Sequence, residues 1–295
     1  MIARALSFNS TNVRNTIGFA WHRVALAVSS ALAPERAVAR AARLFATPPR
    51  YAHTPQEIEL LRTARGFVAY VGLVRIAAWR FGDEGRPAVV LSHGWGGRGA
   101  QFRHFVAPLV EAGFQVVTYD APSHGDSGPG GLGRRRSSLL ELMQAIDTVI
   151  EAHGPAHAIV GHSLGAAASA LAVLDGTTAD RLVLVASPAV PVDFTRAFAK
   201  ALGFRESTRQ LLLRRMEALA GRPLSDLDVL RRATGRTDLP PALVLADRAD
   251  KETDAGDSER IAEVWPEAEL VMSDGLGHRR ILRDPATIAT VVTYL

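Results

Sequence analysis

The chain has 295 residues, 47% hydrophobic and 22% charged, which is enough apolar material for one large domain or one domain with an insertion. Without low-complexity tracts or repeats at solenoid periods, that balance excludes a disordered chain and a repeat array. The net charge of +4 rests on scattered arginines, with lysine only at Lys200 and Lys251 and no aromatic-interleaved basic stripe, so nucleic acid is not an expected partner; the absence of cysteine excludes disulfides and thiolate metal sites.

Residues 1–66 read as a helical N-terminal extension, with helical runs at about 13–32 and 34–46 broken by Pro34 and closed by Pro48-Pro49. The apolar stretch from Val24 to Ala33 falls short of the roughly 20 residues needed to span a bilayer. It follows Arg14 and Arg23 but runs directly into the helical pattern Pro34-Glu35-Arg36, so a cytoplasmic location is expected in preference to a secretory leader. Arg36, Arg40 and Arg43 recur at helical spacing beside Val38, Leu44 and Phe45. This is read as the solvated back of a packed helix, the alternative being a weak membrane-surface contact through the extension. Thr54-Pro55-Gln56-Glu57 is a capping-box helix start, and Gly66 is the expected helix end.

Phe67 to Val71 and Leu73 to Phe81 read as antiparallel strands joined at Gly72. From Pro87 onward, buried strands alternate with amphipathic helices. Strands are predicted at 87–92, 115–119, 156–160, 181–186, 242–246 and 269–272. Helices are predicted around Phe102 to Leu109, from the capping box at Ser138-Leu139-Leu140-Glu141 through His153, over 164–174 ending at Gly176, and over 284–294. This alternation predicts an α/β fold, a doubly wound and mostly parallel sheet over 67–295. The interval from about 187 to 240 is far longer than a crossover requires. Phe194, Phe198, Leu202, Leu211, Leu212 and Met216 at helical separations make it a helical cap insertion, expected beyond the carboxyl ends of the strands.

Gly161-His162-Ser163-Leu164-Gly165 fits G-x-S-x-G between a predicted strand and a predicted helix. A strand reversing sharply into a helix strains the serine backbone and needs small neighbours, which the two glycines supply. Ser163 is therefore the candidate nucleophile, at the positive end of a helix dipole. A serine hydroxyl needs a base, and the base needs an orienting acid. The loop after the last strand, Ser273-Asp274-Gly275-Leu276-Gly277-His278, supplies His278. The loop before it, Asp247-Arg248-Ala249-Asp250-Lys251, supplies Asp250, preferred over Asp247 because several residues of loop give it reach; Asp247 and Asp274 read as turn residues. The other histidines, including His162 beside the serine, read as surface or packing residues. An oxyanion hole would combine the N–H of Leu164 with that of Trp95, in the loop Ser92-His93-Gly94-Trp95-Gly96-Gly97. That loop lacks the pattern of a dinucleotide or Walker phosphate site.

With these elements in place, the chain resembles the α/β-hydrolase superfamily over about 67–295, and in particular its capped, esterase- or lipase-like members. His93-Gly94-Trp95-Gly96-Gly97 resembles the family's H-G-x-G-G oxyanion loop, and the order Ser163, Asp250, His278 resembles its triad order. Asp120-Ala121-Pro122-Ser123-His124-Gly125-Asp126-Ser127 resembles the D-x-P-G-H-G-x-S loop, with Ser123 where the family has glycine. The resemblance implies a serine hydrolase that acts on a small-molecule substrate, cleaving a carboxylic ester of some hydrophobic character through an acyl-enzyme, with no cofactor and no metal. The alternatives are thioester, amide or lactone hydrolysis or acyl transfer on the same residues and, from another class, a non-catalytic ligand-binding protein of the same fold. The oligomeric state is not legible in the sequence.

Overall fold

A computed structural model describes residues 32–295, so the expected helical run at 13–32 lies almost wholly outside the described residues. The described chain forms two compact units. One combines the described part of Met1–Thr47 with Val190–Asp228, and the other combines Pro48–Ala189 with Val229–Leu295.

The larger unit is built on an eight-stranded sheet: β1 (Arg65–Val71), β2 (Val74–Phe81), β3 (Ala88–Ser92), β4 (Gln115–Tyr119), β5 (Ala156–His162), β6 (Ala179–Val185), β7 (Ala242–Asp247) and β8 (Ala268–Ser273). Their spatial order is β1-β2-β4-β3-β5-β6-β7-β8. The β1–β2 and β2–β4 pairs are antiparallel and every later pair is parallel. Parallel strands covered on both faces read as near-continuous apolar runs, and all of β3 and β4 is buried, with Ser92, Gln115 and Thr118 as their buried polar members. The edge strand β8 is partly exposed. One face of the sheet carries a core of Val89, Leu91, Val116, Val160 and Val183 against Phe102 and Phe105.

The chain leaves β3 for β4 on one side, and β5 returns to the other side of β3. The carboxyl ends of β3 and β5 therefore flank a topological switch point, where open α/β sheets form their binding crevices. Ser92 pairs with Gly161 at that point, so the loop after β3 and the turn after β5 emerge side by side.

Two helix ends differ in detail from the sequence expectation. The first helix of the sheet unit, Pro55–Arg62, has the full capping box at Thr54 and Glu57, but it stops before Gly66, which pairs with Trp79 inside β1. The Thr63 hydroxyl donates to the Leu60 carbonyl, closing the last turn without a left-handed glycine. In the helix Leu139–His153, Ser138 accepts from the Glu141 N–H, but the Glu141 carboxylate takes the Gly131 N–H, so only half of the expected capping box forms.

In the smaller unit, the helix Pro34–Phe45 buries Ala37, Val38, Ala41 and Ala42. They pack against Ala199 and Leu202 of the helix Phe194–Leu202, Phe204, and Leu212 of the helix Glu206–Ala220. Phe45 meets Phe198 edge to face at 5.0 Å. Arg36, Arg40 and Arg43 lie on the exposed side. Residues 1–66, a single extension by sequence, are thus divided: the described part up to Thr47 groups with Val190–Asp228, and Pro48 onward groups with the sheet. Among the described residues no helix is long and apolar enough to cross a membrane.

Candidate active site

Ser163 sits between β5 and the helix Leu164–Asp175 with φ 56° and ψ −128°, a backbone conformation that costs a non-glycine residue about 1–3 kcal/mol. Its neighbours explain how the turn holds. The Ser163 N–H donates to the Val185 carbonyl at 2.8 Å, and the Ser163 carbonyl accepts from Ala166 at 2.9 Å. A methyl group on Gly161 would lie 2.5 Å from the Ala166 Cα, and one on Gly165 would overlap the carbonyl oxygens of Ser92 and His93. Both motif glycines are therefore steric necessities, and the helix packs hard against the end of β3. Leu164, its first residue, has an N–H without an acceptor inside the helix.

The loop after β3 lies against this turn. A methyl group on Gly94 would come 2.9 Å from the Ser163 Cβ and 3.0 Å from the His162 carbonyl oxygen. The Gly97 N–H donates to the Gly94 carbonyl at 2.9 Å, closing a turn that contains Trp95. The half-buried Trp95 ring meets His124 edge-on at 5.4 Å. His93 braces the loop from beneath: its Nδ1 lies 2.8 Å from the Gly94 carbonyl oxygen, and its Nε2 accepts the Ala121 N–H at 2.9 Å. A carbonyl only accepts and an N–H only donates, so the ring is the Nδ1–H tautomer. Burial, with the charge of nearby His124, pushes its pKa down to about 3 and keeps it neutral.

The Asp120 loop supports the same end of the sheet. The buried Asp120 carboxylate accepts N–H groups from Gly99 at 2.8 Å and Asp126 at 2.7 Å; burial holds its pKa above the usual carboxylate range. Ser123 adopts φ 62°, the left-handed conformation that the family's glycine would enter without strain. Its hydroxyl donates to the Arg136 carbonyl at 2.7 Å and accepts the Gly130 N–H at 2.9 Å. The departure from the family pattern thus keeps the turn and adds two hydrogen bonds.

Beyond β7 and β8 the remaining residues converge. His278 Nδ1 lies 2.7 Å from Asp250 Oδ2. Asp250 Oδ1 accepts the N–H groups of Glu252 at 2.7 Å and Thr253 at 3.0 Å. Burial raises the Asp250 pKa, but the hydrogen bond and charge of His278 and the two backbone N–H groups outweigh it and leave the carboxyl below its ordinary value. Asp247 has a different part. It accepts from Ala249, Leu276 and Gly277 N–H groups at 2.8–2.9 Å and from the Ser273 hydroxyl at 2.8 Å, knitting the two loops together.

The structure therefore brings Asp250 to His278, and Gly94 to Ser163. Among the described residues no hydrogen bond joins Ser163 to His278; catalytic hydrogen bonds are often long until substrate is bound. The link between the two halves is His162, for which the sequence alone suggests no more than a surface or packing role. It is buried, its ring lies 4.7 Å from that of His278, and its Nε2 is 2.8 Å from the His278 carbonyl oxygen. Its position next to Ser163 at a strand end was the only sequence signal for it.

Among the described residues, the one group with metal-ligand chemistry is His53, Asp120 and Asp126, whose candidate ligand atoms lie within 4.8 Å of one another. Both Asp120 oxygens are already engaged by backbone N–H groups, and Asp126 lies 3.6 Å from His53 Nε2.

A family model described as the alpha/beta hydrolase family matches residues 89–291. A hydrolase from Pseudomonas aeruginosa is similar at 22% identity over 78% of this chain and 97% of that chain, with a TM-score of 0.59. An esterase from Pyrococcus furiosus is similar at 17% identity over 84% and 94%, TM-score 0.59. A thioesterase domain from the curacin biosynthetic pathway is similar at 18% identity over 78% and 98%, TM-score 0.55. Comparison with curated proteins gives no significant match.

Proposed function

Because the chain belongs to the alpha/beta hydrolase family, we propose that it is a serine hydrolase that cleaves a carboxylic ester by way of an acyl-enzyme. The observation that carries this reading is the 2.7 Å pairing of Asp250 with His278 on loops beside the strained turn that presents Ser163.

In the proposed reaction the Ser163 hydroxyl attacks the ester carbonyl while His278 Nε2 takes its proton. Asp250 holds His278 in the tautomer with a proton on Nδ1, leaving Nε2 free to accept, and stabilises the imidazolium that forms. The tetrahedral oxyanion is held by the N–H groups of Leu164 and Trp95, each such donor contributing about 3–4 kcal/mol to transition-state stabilisation. His278 returns the proton to the leaving alcohol. Water, deprotonated by the same nitrogen, then attacks the acyl carbonyl and frees Ser163. The half-buried Trp95 ring beside Gly94 favours a substrate with apolar character.

The test joins activity with labelling. A fluorophosphonate probe is expected to modify Ser163 alone, and Ser163→Ala is expected to lose nitrophenyl-ester hydrolysis and labelling together. Labelling at another residue, or full activity in Ser163→Ala, refutes the assignment. A panel of esters, thioesters and lactones then ranks the acyl bonds; the reading predicts that esters rank first.

A further inference from the structure

We infer that His162 is a positioning residue: its imidazole donates Nε2–H to the main-chain carbonyl of His278 and seats the base loop beside Ser163. The inference rests on the function proposed above.

His278 lies in a four-residue helical turn, Gly277–Arg280, and Gly275 and Gly277 both hold left-handed backbone with φ 85° and 66°. So short a helix has little rigidity of its own, and glycine gives the approach to it the widest conformational freedom. The loop is therefore held from outside at two levels. Asp250 fixes the direction of the His278 ring through Nδ1, and Asp247 accepts the N–H groups of Leu276 and Gly277. The His278 carbonyl is held by His162, at 2.8 Å.

A carbonyl oxygen can only accept, so His162 Nε2 must carry the proton. The groups that act on His162 through charge are His278, Asp250 and Arg279. Burial, with the charge of His278, drives its pKa down to about 3, so the ring is neutral at physiological pH. That neutrality matters chemically. The rings of His162 and His278 are 4.7 Å apart, and a second positive charge at that distance would oppose the imidazolium on which acyl transfer depends. His162 also ends β5 in register with Val185, so its donor is fixed by the same strand that delivers Ser163. Nucleophile and base are thereby referred to one rigid element.

Glutamine and methionine at 162 have similar length, and only glutamine offers an N–H. With nitrophenyl butyrate as substrate, His162→Met is expected to lower kcat about ten- to a hundredfold with KM within about twofold, the signature of a misplaced catalytic group. His162→Gln is expected to recover most of the loss, and thermal melts should show both variants folded. Wild-type kcat in His162→Met overturns the inference. So does equal damage in both variants, which would mean that ring packing matters and the donor does not. If His162→Met fails to fold, His162→Phe takes its place; unfolding of both non-donor variants assigns the contact to stability and overturns a positioning role. Ser163→Ala is run in the same assay: full activity there sinks the proposed function itself, whereas an inactive Ser163→Ala with indifferent 162 variants sinks only this inference.

Discussion

His278 Nδ1 and Asp250 Oδ2 are 2.7 Å apart, with only 7% and 2% of the two side chains exposed. An amide at 250 would preserve the shape while offering an N–H to Nδ1, which favours the tautomer that blocks Nε2. Asp250→Asn is expected to lower kcat by about 10³–10⁴, the scale of a tautomer error in a serine triad, with a melting temperature close to that of the parent. Steady-state kinetics with a nitrophenyl ester, beside a thermal melt, check both halves. A tenfold or smaller loss would remove Asp250 from the role.

Asp247 is expected to act on stability. Asp247→Ala strips the acceptor from three N–H groups and one hydroxyl. The predicted cost is about 2–4 kcal/mol in urea unfolding. Burial raises the Asp247 carboxyl, but the N–H of Gly277, the Ser273 hydroxyl and the N–H groups of Leu276 and Ala249 hold its pKa below the ordinary value, as His278 and the N–H groups of Thr253 and Glu252 do for Asp250. A group depressed on folding adds stability above its unfolded pKa, about 4, and loses it as pH falls through the folded value. Asp120, held high by burial, works in the opposite sense. Unfolding curves from pH 7 to about 3 should therefore fall less steeply with acid in Asp247→Ala than in the parent. Parallel curves would contradict the assignment.

Gly94 has no room for a side chain, because a methyl group there would press on Ser163 and the His162 carbonyl. Gly94→Ala is expected to cut kcat by about a hundredfold or more by displacing the loop that carries Trp95. Stopped-flow acylation is the direct readout, and an unchanged acylation rate would show that this loop is not aimed at the reacting carbonyl.

Ser123 allows a rank-order prediction. Ser123→Ala keeps the strained φ and loses both hydrogen bonds, whereas Ser123→Gly loses the bonds but relieves about 1 kcal/mol of strain. Denaturant melts should place Gly between the parent and Ala. Parent-like stability in Ser123→Ala would mean that the hydroxyl bonds are not what holds this turn, and reversal of Gly and Ala would remove the strain from the account.

The legible parts of the sequence are those whose cause is local. The alternation of mostly apolar strands and helical runs gives every strand of the sheet to within two residues, because strands covered on both faces are predominantly apolar. The turn at Ser163 is legible because its two glycines answer to atoms a few residues away or on the adjoining strand. His162 was illegible because its partner lies 116 residues later, and no spacing rule encodes a ring donating to a distant main-chain carbonyl. Gly66 misled for a related reason. Glycine after a helix usually marks its end, but here the Thr63 hydroxyl closes the helix first and Gly66 joins β1.

The helix Pro34–Phe45 shares its apolar contacts with segments of Val190–Asp228, and the whole of 48–189 intervenes in the chain. On the ribosome, that helix emerges long before Leu202, Phe204 and Leu212 exist to cover Ala37, Val38 and Ala41. The smaller unit must therefore be completed late, after residues 48–189 have been synthesised. Neither segment is a module that can be cut out or transplanted alone: excising 190–228 would leave a bare apolar stripe on the helix Pro34–Phe45, and removing that helix would open the core it shares with Leu202, Phe204 and Leu212 to water.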